Sequence, residues 1–211
     1  MYKFIMTLIL ALCGAAATAG PVTVAALGDS LTQGYGLPEG DGLVPQLQSW
    51  LNDHGADAVL INAGVSGDTT AGGAARVAWT LSPEVKAMIV ALGGNDMLRG
   101  LDPAVTRANL ETILTVADQA RVKVLLIGMQ APGNYGPDYK AEFDAIYPDL
   151  AAKHGALYAP SFFEGLQEVS RDPAALQPFM QGDGIHPNAE GVARIVAALG
   201  PKVLELVRSV Q

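Results

Sequence analysis

A three-layer α/β domain, with a parallel sheet held between two layers of helices, is what this sequence predicts. Three observations carry the prediction. Strand-like and helix-like runs alternate along the chain. The strand-like runs are apolar almost throughout rather than at every second residue, the pattern of strands covered on both faces. Short motifs of Gly, Ser, Asn and Asp stand directly after the first three strands, where open parallel sheets carry their sites.

Val22 to Leu27 reads as the first strand. Asp41 to His54 holds a helix, with Leu43, Leu47, Trp50 and Leu51 at helical spacing. Ala58 to Gly64 is the second strand. Thr69 to Leu81 is helical, with Gly72-Gly73 weakening its start. Val85 to Leu92 contains the third strand, ended by Gly93-Gly94. Asp102-Pro103 opens a helix: a side chain that can cap, then Pro where no N–H is needed. Leu110, Ile113, Leu114 and Ala117 form its apolar face. Val122 to Ile127 is the fourth strand, residues 131–139 form a loop, and a helix follows to about His154. Ala156 to Ala159 is a short fifth strand. Residues 160–188 read as irregular, with room for one short helix. Pro187 or Asn188 opens the last helix, where Val192, Ile195, Val196 and Leu199 make a stripe and Pro201 kinks or ends it.

Residues 1–19 stand apart. Met1-Tyr2-Lys3 is a short positive start, Phe4 to Cys13 an apolar run, and Ala17-Thr18-Ala19 a small-x-small cleavage pattern before Gly20. The run is shorter than the roughly 20 residues a membrane-spanning helix needs. A cleaved export signal is the expectation; an uncleaved anchor is its alternative. A lipoprotein reading of Cys13 suffers from Leu12, where a small residue belongs. Residues 20–211 then form one domain, of a size that supports a sizeable core. Cys13 is the only cysteine, so the remaining domain has no disulfide and no thiolate metal site. An exported domain of this kind points to the bacterial periplasm or to secretion. Removal of Lys3 takes the formal net charge from −8 to −9. That balance, with no basic run, argues against nucleic acid and against strong docking to anionic lipid. No Gly-Lys-Ser/Thr loop or G-x-G-x-x-G is present for a nucleotide.

The first strand stops at Gly28-Asp29-Ser30. A serine hydroxyl needs a base, an orienter for that base, and donors for a developing oxyanion. Gly64-Val65-Ser66-Gly67-Asp68 follows the second strand and Gly93-Gly94-Asn95-Asp96 the third. With parallel strands all three loops share one sheet edge. The Ser30 and Gly67 backbone N–H groups and the Asn95 amide could then converge on one oxygen; a turn glycine and a capping asparagine are the plainer readings. The fourth motif, Gly182-Asp183-Gly184-Ile185-His186-Pro187, precedes the last helix. His186 has the chemistry of a base and Asp183, three residues earlier, can fix its tautomer. His54 and His154 each sit at a helix end before Gly, a structural position. A metal held by Asp183 and His186 lacks further ligands at suitable spacing.

Four blocks, Gly28-Asp29-Ser30-Leu31, Ser66-Gly67-Asp68-Thr69, Gly94-Asn95-Asp96 and Asp183-x-x-His186, occur in order over about residues 22–208. With them the chain resembles the SGNH hydrolases of the GDSL family. It is most similar to their bacterial periplasmic thioesterase, lysophospholipase and arylesterase group, through residues 93–100, 132–136 and 183–187. The resemblance implies a five-stranded parallel sheet in flavodoxin-like order and cleavage of carboxylic esters or thioesters through an acyl-enzyme, without metal or other cofactor. It implies Ser30 as nucleophile, His186 as base, Asp183 as its partner, and an oxyanion hole of Ser30, Gly67 and Asn95. Leu31, Met97, Leu98, Pro132 and Tyr135 are the candidates for substrate contact, with Phe162-Phe163 or Met180 as further ones. Gly133 stands where that group usually carries a bulkier residue. Thr32 breaks the G-x-S-x-G pattern of ordinary α/β-hydrolases. A carbohydrate O-deacetylase on the same scaffold, or a non-catalytic lipid-binding domain, are the alternatives. A small acyl-ester or lysolipid substrate, no stable membrane anchor and a monomer are the remaining expectations.

Overall fold

The computed structural model describes residues 20–211; the export signal expected at 1–19 lies outside the described residues. Strand β1 (Val22–Gly28) leads into a single helical turn, α1 (Ser30–Gln33). A short 3-10 turn at Glu39–Asp41 precedes α2 (Leu43–Asp53) and β2 (Ala58–Gly64). Next come α3 (Thr70–Thr80), β3 (Val85–Ala91), the short α4 (Gly94–Leu98), α5 (Pro103–Gln119) and β4 (Lys123–Ile127). Helix α6 (Pro137–His154), β5 (Leu157–Ala159), the one-turn α7 (Glu164–Gln167) and α8 (Pro173–Leu176), and α9 (Ala189–Arg208) complete the chain.

The five strands are all parallel, in the order β2-β1-β3-β4-β5. Strand order therefore reverses between β1 and β3, and the crevice beyond their carboxyl ends is where such sheets take ligands. Helices α2, α7 and α9 pack together on one face; α3, α5 and α6 pack in series on the other. Leu43, Leu47 and Leu51 of α2 and the stripe Val192, Ile195, Val196 and Leu199 of α9 are buried against the sheet, as their spacing predicts. The Asp102-Pro103 signal holds too: Asp102 accepts a 2.8 Å hydrogen bond from Ala104 N, with Pro103 as the first helical residue.

Four expectations need correction. Strand β2 is not covered on both faces: Val59 and Ile61 are 47 % and 39 % exposed. It is the sheet's edge, and α2 packs on it while its other side faces out. The Gln48 side chain meets that edge, donating to Ala58 O (2.9 Å) and accepting from Leu60 N (2.8 Å). Pro201 does not end the last helix, which runs on to Arg208. An interior Pro costs about 3 kcal/mol, but the residues flanking it, Leu199, Val203 and Leu206, are fully buried, and Pro201 and Ala197, four residues before it, are exposed. Residues 160–188 hold three short helical pieces, α7, α8 and a 3-10 turn at Gln177–Phe179. Each is too short to show a period, although Asp172-Pro173 repeats the Asp-Pro signal, with Asp172 capping Ala174 N at 3.0 Å. Gly72 and Gly73 do not disturb α3: a side chain at Gly72 would collide with the Asp68 carboxylate, so close approach requires a glycine.

Candidate active site

Asp29 leaves β1 with its side chain turned back to accept from Leu31 N at 3.0 Å, which opens α1 and sets Ser30 as its first residue. The Asp29 carboxyl is only 2 % exposed, and its burial pushes it up to about 6 from an ordinary 3.8. Its second oxygen lies 3.4 Å from Asn95 Nδ2.

The loop after β2 is a tight turn, with Asp68 N donating to Val65 O (3.0 Å) and Val65 N to Gly28 O (3.0 Å). Gly67 has φ +80°, a conformation that glycine adopts at no steric cost. Two side chains, one half-buried and one fully buried, then fix this loop against its neighbours. Arg76 of α3 donates to Gly28 O (2.9 Å), Ala63 O (2.7 Å) and Asp68 Oδ2 (2.8 Å), tying the ends of β1 and β2 together. Asp96, fully buried, accepts from Thr70 N (2.9 Å), from the Thr70 hydroxyl and from Thr106 Oγ1 (3.3 Å). It thereby joins the start of α3 to α4, whose Asn95 donates to Asp68 O at 2.9 Å. Neither Arg76 nor Asp96 was assigned a role from the sequence. Arg76 bonds two backbone carbonyls, which leave no mark in a sequence; Asp96 carried a signal, its place beside Asn95 in the third block.

Asp183 and His186 come from a narrow hairpin-like loop. Met180 and Pro187 form an isolated antiparallel bridge, and Gln181 N donates to His186 O at 2.7 Å. The Gln181 side chain reaches Pro187 O (3.0 Å) and Tyr35 O (2.8 Å), linking this loop to the segment after Ser30. Within it the Asp183 carboxylate accepts from Ile185 N (2.9 Å) and His186 N (3.0 Å). Those bonds, with the contact to the His186 ring, bring it down to about 2. Asp183 Oδ2 is 2.6 Å from His186 Nδ1, and His186 Nε2 is 2.8 Å from Ser30 Oγ. The Tyr35 ring leans on the His186 ring, with centroids 4.7 Å apart. Tyr35 was not among the expected site residues; its signal is an aromatic side chain between Gly34 and Gly36 just past Ser30.

The five residues expected to do chemistry thus share one sheet edge. Ser30, Gly67, Asn95 and His186 line a trough of about 930 Å³, with Asp183 behind the imidazole. Among the described residues neither the Ser30 nor the Gly67 N–H is spent on another carbonyl. Four of the five substrate candidates, Leu31, Met97, Leu98 and Pro132, line the trough, as do Phe163 and Met180. Tyr135 does not. Its ring packs against Tyr139 at 5.0 Å, its hydroxyl lies 3.4 Å from Leu98 O, and it props the α4 end rather than facing the cavity. Phe162 is core, 1 % exposed. Gly133 has open space where a side chain would stand, so nothing in the packing demands glycine there. His54 stacks on Trp50 with centroids 3.6 Å apart, and His154 pairs with Asp118 at 2.6 Å; both are remote from the trough, in line with structural roles.

The chain is similar to known proteins along most of its length. Residues 26–194 match the model of the GDSL-like lipase/acylhydrolase family. The chain is 40 % identical to esterase TesA of Pseudomonas aeruginosa over 186 residues, 88 % of this chain and 89 % of that protein. It is 34 % identical to an arylesterase of Vibrio mimicus, over 92 % of this chain and 95 % of that one. Among solved structures it is similar to AlinE4, an SGNH-hydrolase family esterase, with TM-score 0.72 and 43 % identity over 90 % of this chain and 98 % of that chain. A crystal structure of TesA gives TM-score 0.78 at 39 % identity, over 87 % of this chain and 99 % of that chain. A Gly-Asp-Ser turn at the switch point of a 2-1-3-4-5 sheet, a family model spanning most of the chain and relatives this similar lead to one conclusion: the chain belongs to the GDSL-like lipase/acylhydrolase family.

Proposed function

We propose that this ester hydrolase works by acyl transfer to Ser30. The observation that carries the reading is the unbroken line from Ser30 Oγ through both His186 nitrogens to Asp183, at 2.8 and 2.6 Å, opening on an apolar trough. His186 Nε2 takes the Ser30 proton as Oγ attacks the acyl carbonyl. Asp183, held down to about 2 by its backbone donors, stays ionised and balances the imidazolium. The carbonyl oxygen, now negative, receives the Ser30 and Gly67 N–H groups and the Asn95 amide, which exchanges its long 3.4 Å contact with Asp29 for the oxyanion. His186 then protonates the leaving alcohol or thiol. Water, deprotonated by the same nitrogen, attacks the acyl-enzyme; the nitrogen then returns that proton to Ser30 Oγ as the ester bond breaks and the acid departs.

The lining by Leu31, Met97, Leu98, Pro132, Phe163 and Met180 favours an acyl chain over an acetyl group, so lipid-type esters are preferred to acetylated carbohydrates as substrates. Thioesters fit the same chemistry. Export, with cleavage after Ala19 to a periplasmic or secreted monomer, is part of this reading and rests on the 1–19 pattern. Among the described residues no helix is long and apolar enough to cross a membrane. The test is kcat/KM over p-nitrophenyl esters from acetyl to palmitoyl, for wild type and Ser30→Ala. A maximum at medium or long chains, reduced at least about 10³-fold in the variant, is the expected result. Equal activity of the two proteins would sink the Ser30 mechanism, and a steep fall beyond acetyl would transfer the reading to a deacetylase.

A further inference from the structure

Ten large apolar side chains stand exposed among the described residues; three of them line one opening and three more adjoin residues that do. Tyr35, Leu98 and Ile185 line the mouth of the trough itself. Tyr135 lies against Leu98 O and Gly100. Val65, in the loop after β2, and Val169, in the loop after α7, immediately precede Ser66 and Ser170, which line the trough. Each of the six is 43–54 % exposed. Single exposed apolar residues are ordinary, but a ring of them marks an interaction surface.

We propose that this rim seats on the surface of a lipid aggregate, a zwitterionic bilayer or micelle, so that an acyl chain passes into the trough without crossing water. The inference rests on the reading of the trough as an acyl site. What covers the ring is decided by what the ring encircles. A second copy or a protein partner seated there would close the opening above Ser30. A lipid surface covers the same ring and delivers its own molecules as substrate, and the rim is continuous with the apolar lining behind it. Charge selects the kind of lipid. A formal net charge of −8 is repelled by anionic headgroups. Arg171 lines the trough, and Arg99 lies beside the rim, bound to Gly67 O at 2.8 Å. Two guanidinium groups among apolar side chains suit the phosphate of a zwitterionic headgroup.

Val65 and Val169 contribute no side chain to the trough and serve as the test. The Val65→Glu/Val169→Glu pair is compared with the parent in two assays, always as the full chain, so that residues 1–19 act equally in both. In the first, both carry Ser30→Ala and are co-sedimented with phosphatidylcholine vesicles. The pair lowers the partition coefficient about tenfold or more, and adding anionic phosphatidylglycerol to the vesicles does not strengthen parental binding. In the second, Ser30 is intact. The rate on lysophosphatidylcholine rises steeply as the substrate passes its critical micelle concentration in the parent and not in the pair. Both hydrolyse dissolved p-nitrophenyl acetate within about twofold of each other. Equal vesicle binding by the two proteins overturns the proposal. So does a parental dimer in sedimentation that the pair converts to monomer, since the rim would then be a contact between copies. Loss of parental activity on dissolved ester would count against the acyl-hydrolase reading alone, because the vesicle assay reads the rim without turnover.

Discussion

The two sides of the trough are built on opposite plans. The side that carries Ser30, Gly67 and Asn95, proposed above as nucleophile and oxyanion hole, grows directly from β1, β2 and β3, and is tied across by Arg76 and the fully buried Asp96. The side that carries Asp183 and His186, proposed above for proton transfer, lies in residues 160–188 between β5 and α9, and is closed by its own Met180–Pro187 bridge. Its ties to the first side are Gln181 to Tyr35 O and the imidazole itself. The two acids mirror the difference. Asp29 is enclosed and pushed up to about 6; Asp183, its side chain 38 % exposed, is brought down to about 2 by donors in its own loop. Groups that must meet a developing charge in fixed geometry are set in the core. The acid proposed to balance a protonated imidazole stays ionised through donors of its own loop and needs no burial.

If that division is real, damage to the second side costs rate and leaves stability, while damage to the first costs both. The largest effect expected is from Asp183→Asn. It removes the acceptor that fixes the His186 tautomer, so kcat falls roughly 10³–10⁴-fold, while thermal unfolding moves by no more than about 2 °C. A collapse of the melting temperature would break the contrast. Arg76→Met comes next. Losing three hydrogen bonds to the ends of β1 and β2, and leaving Asp68 without its partner, costs about 3–4 kcal/mol in urea unfolding. It also lowers kcat about tenfold through misplacement of Gly67. Unchanged kcat at reduced stability would show that the strap holds the fold and not the site.

The smallest effect is a matter of pH. Asp29 holds its proton in the folded chain up to about pH 6 but releases it near 3.8 when unfolded. Between those values the native state binds more protons than the unfolded one, so stability falls as pH rises through the window and is level above it. The span is on the order of 3 kcal/mol. Asp183 acts with the opposite sign and lower down: its contribution is present above about pH 4 and lost as pH falls toward about 2. Asp29→Asn should remove the decline between pH 4 and 6 in denaturant titrations and leave the loss near pH 2 in place. An identical profile for the variant would mean that the buried carboxyl is not the source.

Much of this was legible beforehand because reactive residues sit at punctuation. Ser30, Gly67 and Asn95 each follow an apolar run, and Asp183 and His186 precede a helix whose stripe is plain. The order and direction of the strands then required a common edge. What escaped detection acts across the chain rather than along it. Arg76 looks like an ordinary helix cation until Gly28 O and Ala63 O are seen beneath it. Tyr135 packs against Tyr139 and Gly100 beside the trough instead of lining it, a contact no pattern of residue types encodes. The pieces of 160–188 are one turn each, shorter than a hydrophobic period. Of the two outcomes expected at Pro201, a kink or an end, the end is excluded because the long buried stripe of α9 carries the helix past it.

Gln48 has a consequence for life in a crowded solution. An edge strand with free amides and carbonyls, and with Val59 and Ile61 facing outward, is a template for adding a strand from a neighbouring molecule. The primary amide of Gln48 offers one donor and one acceptor at the spacing of a peptide group. By binding Ala58 O and Leu60 N it plays the part of a next strand one residue long. The sheet is thus terminated by a side chain of its own fold, and growth into ordered aggregates meets an edge already occupied where β2 begins.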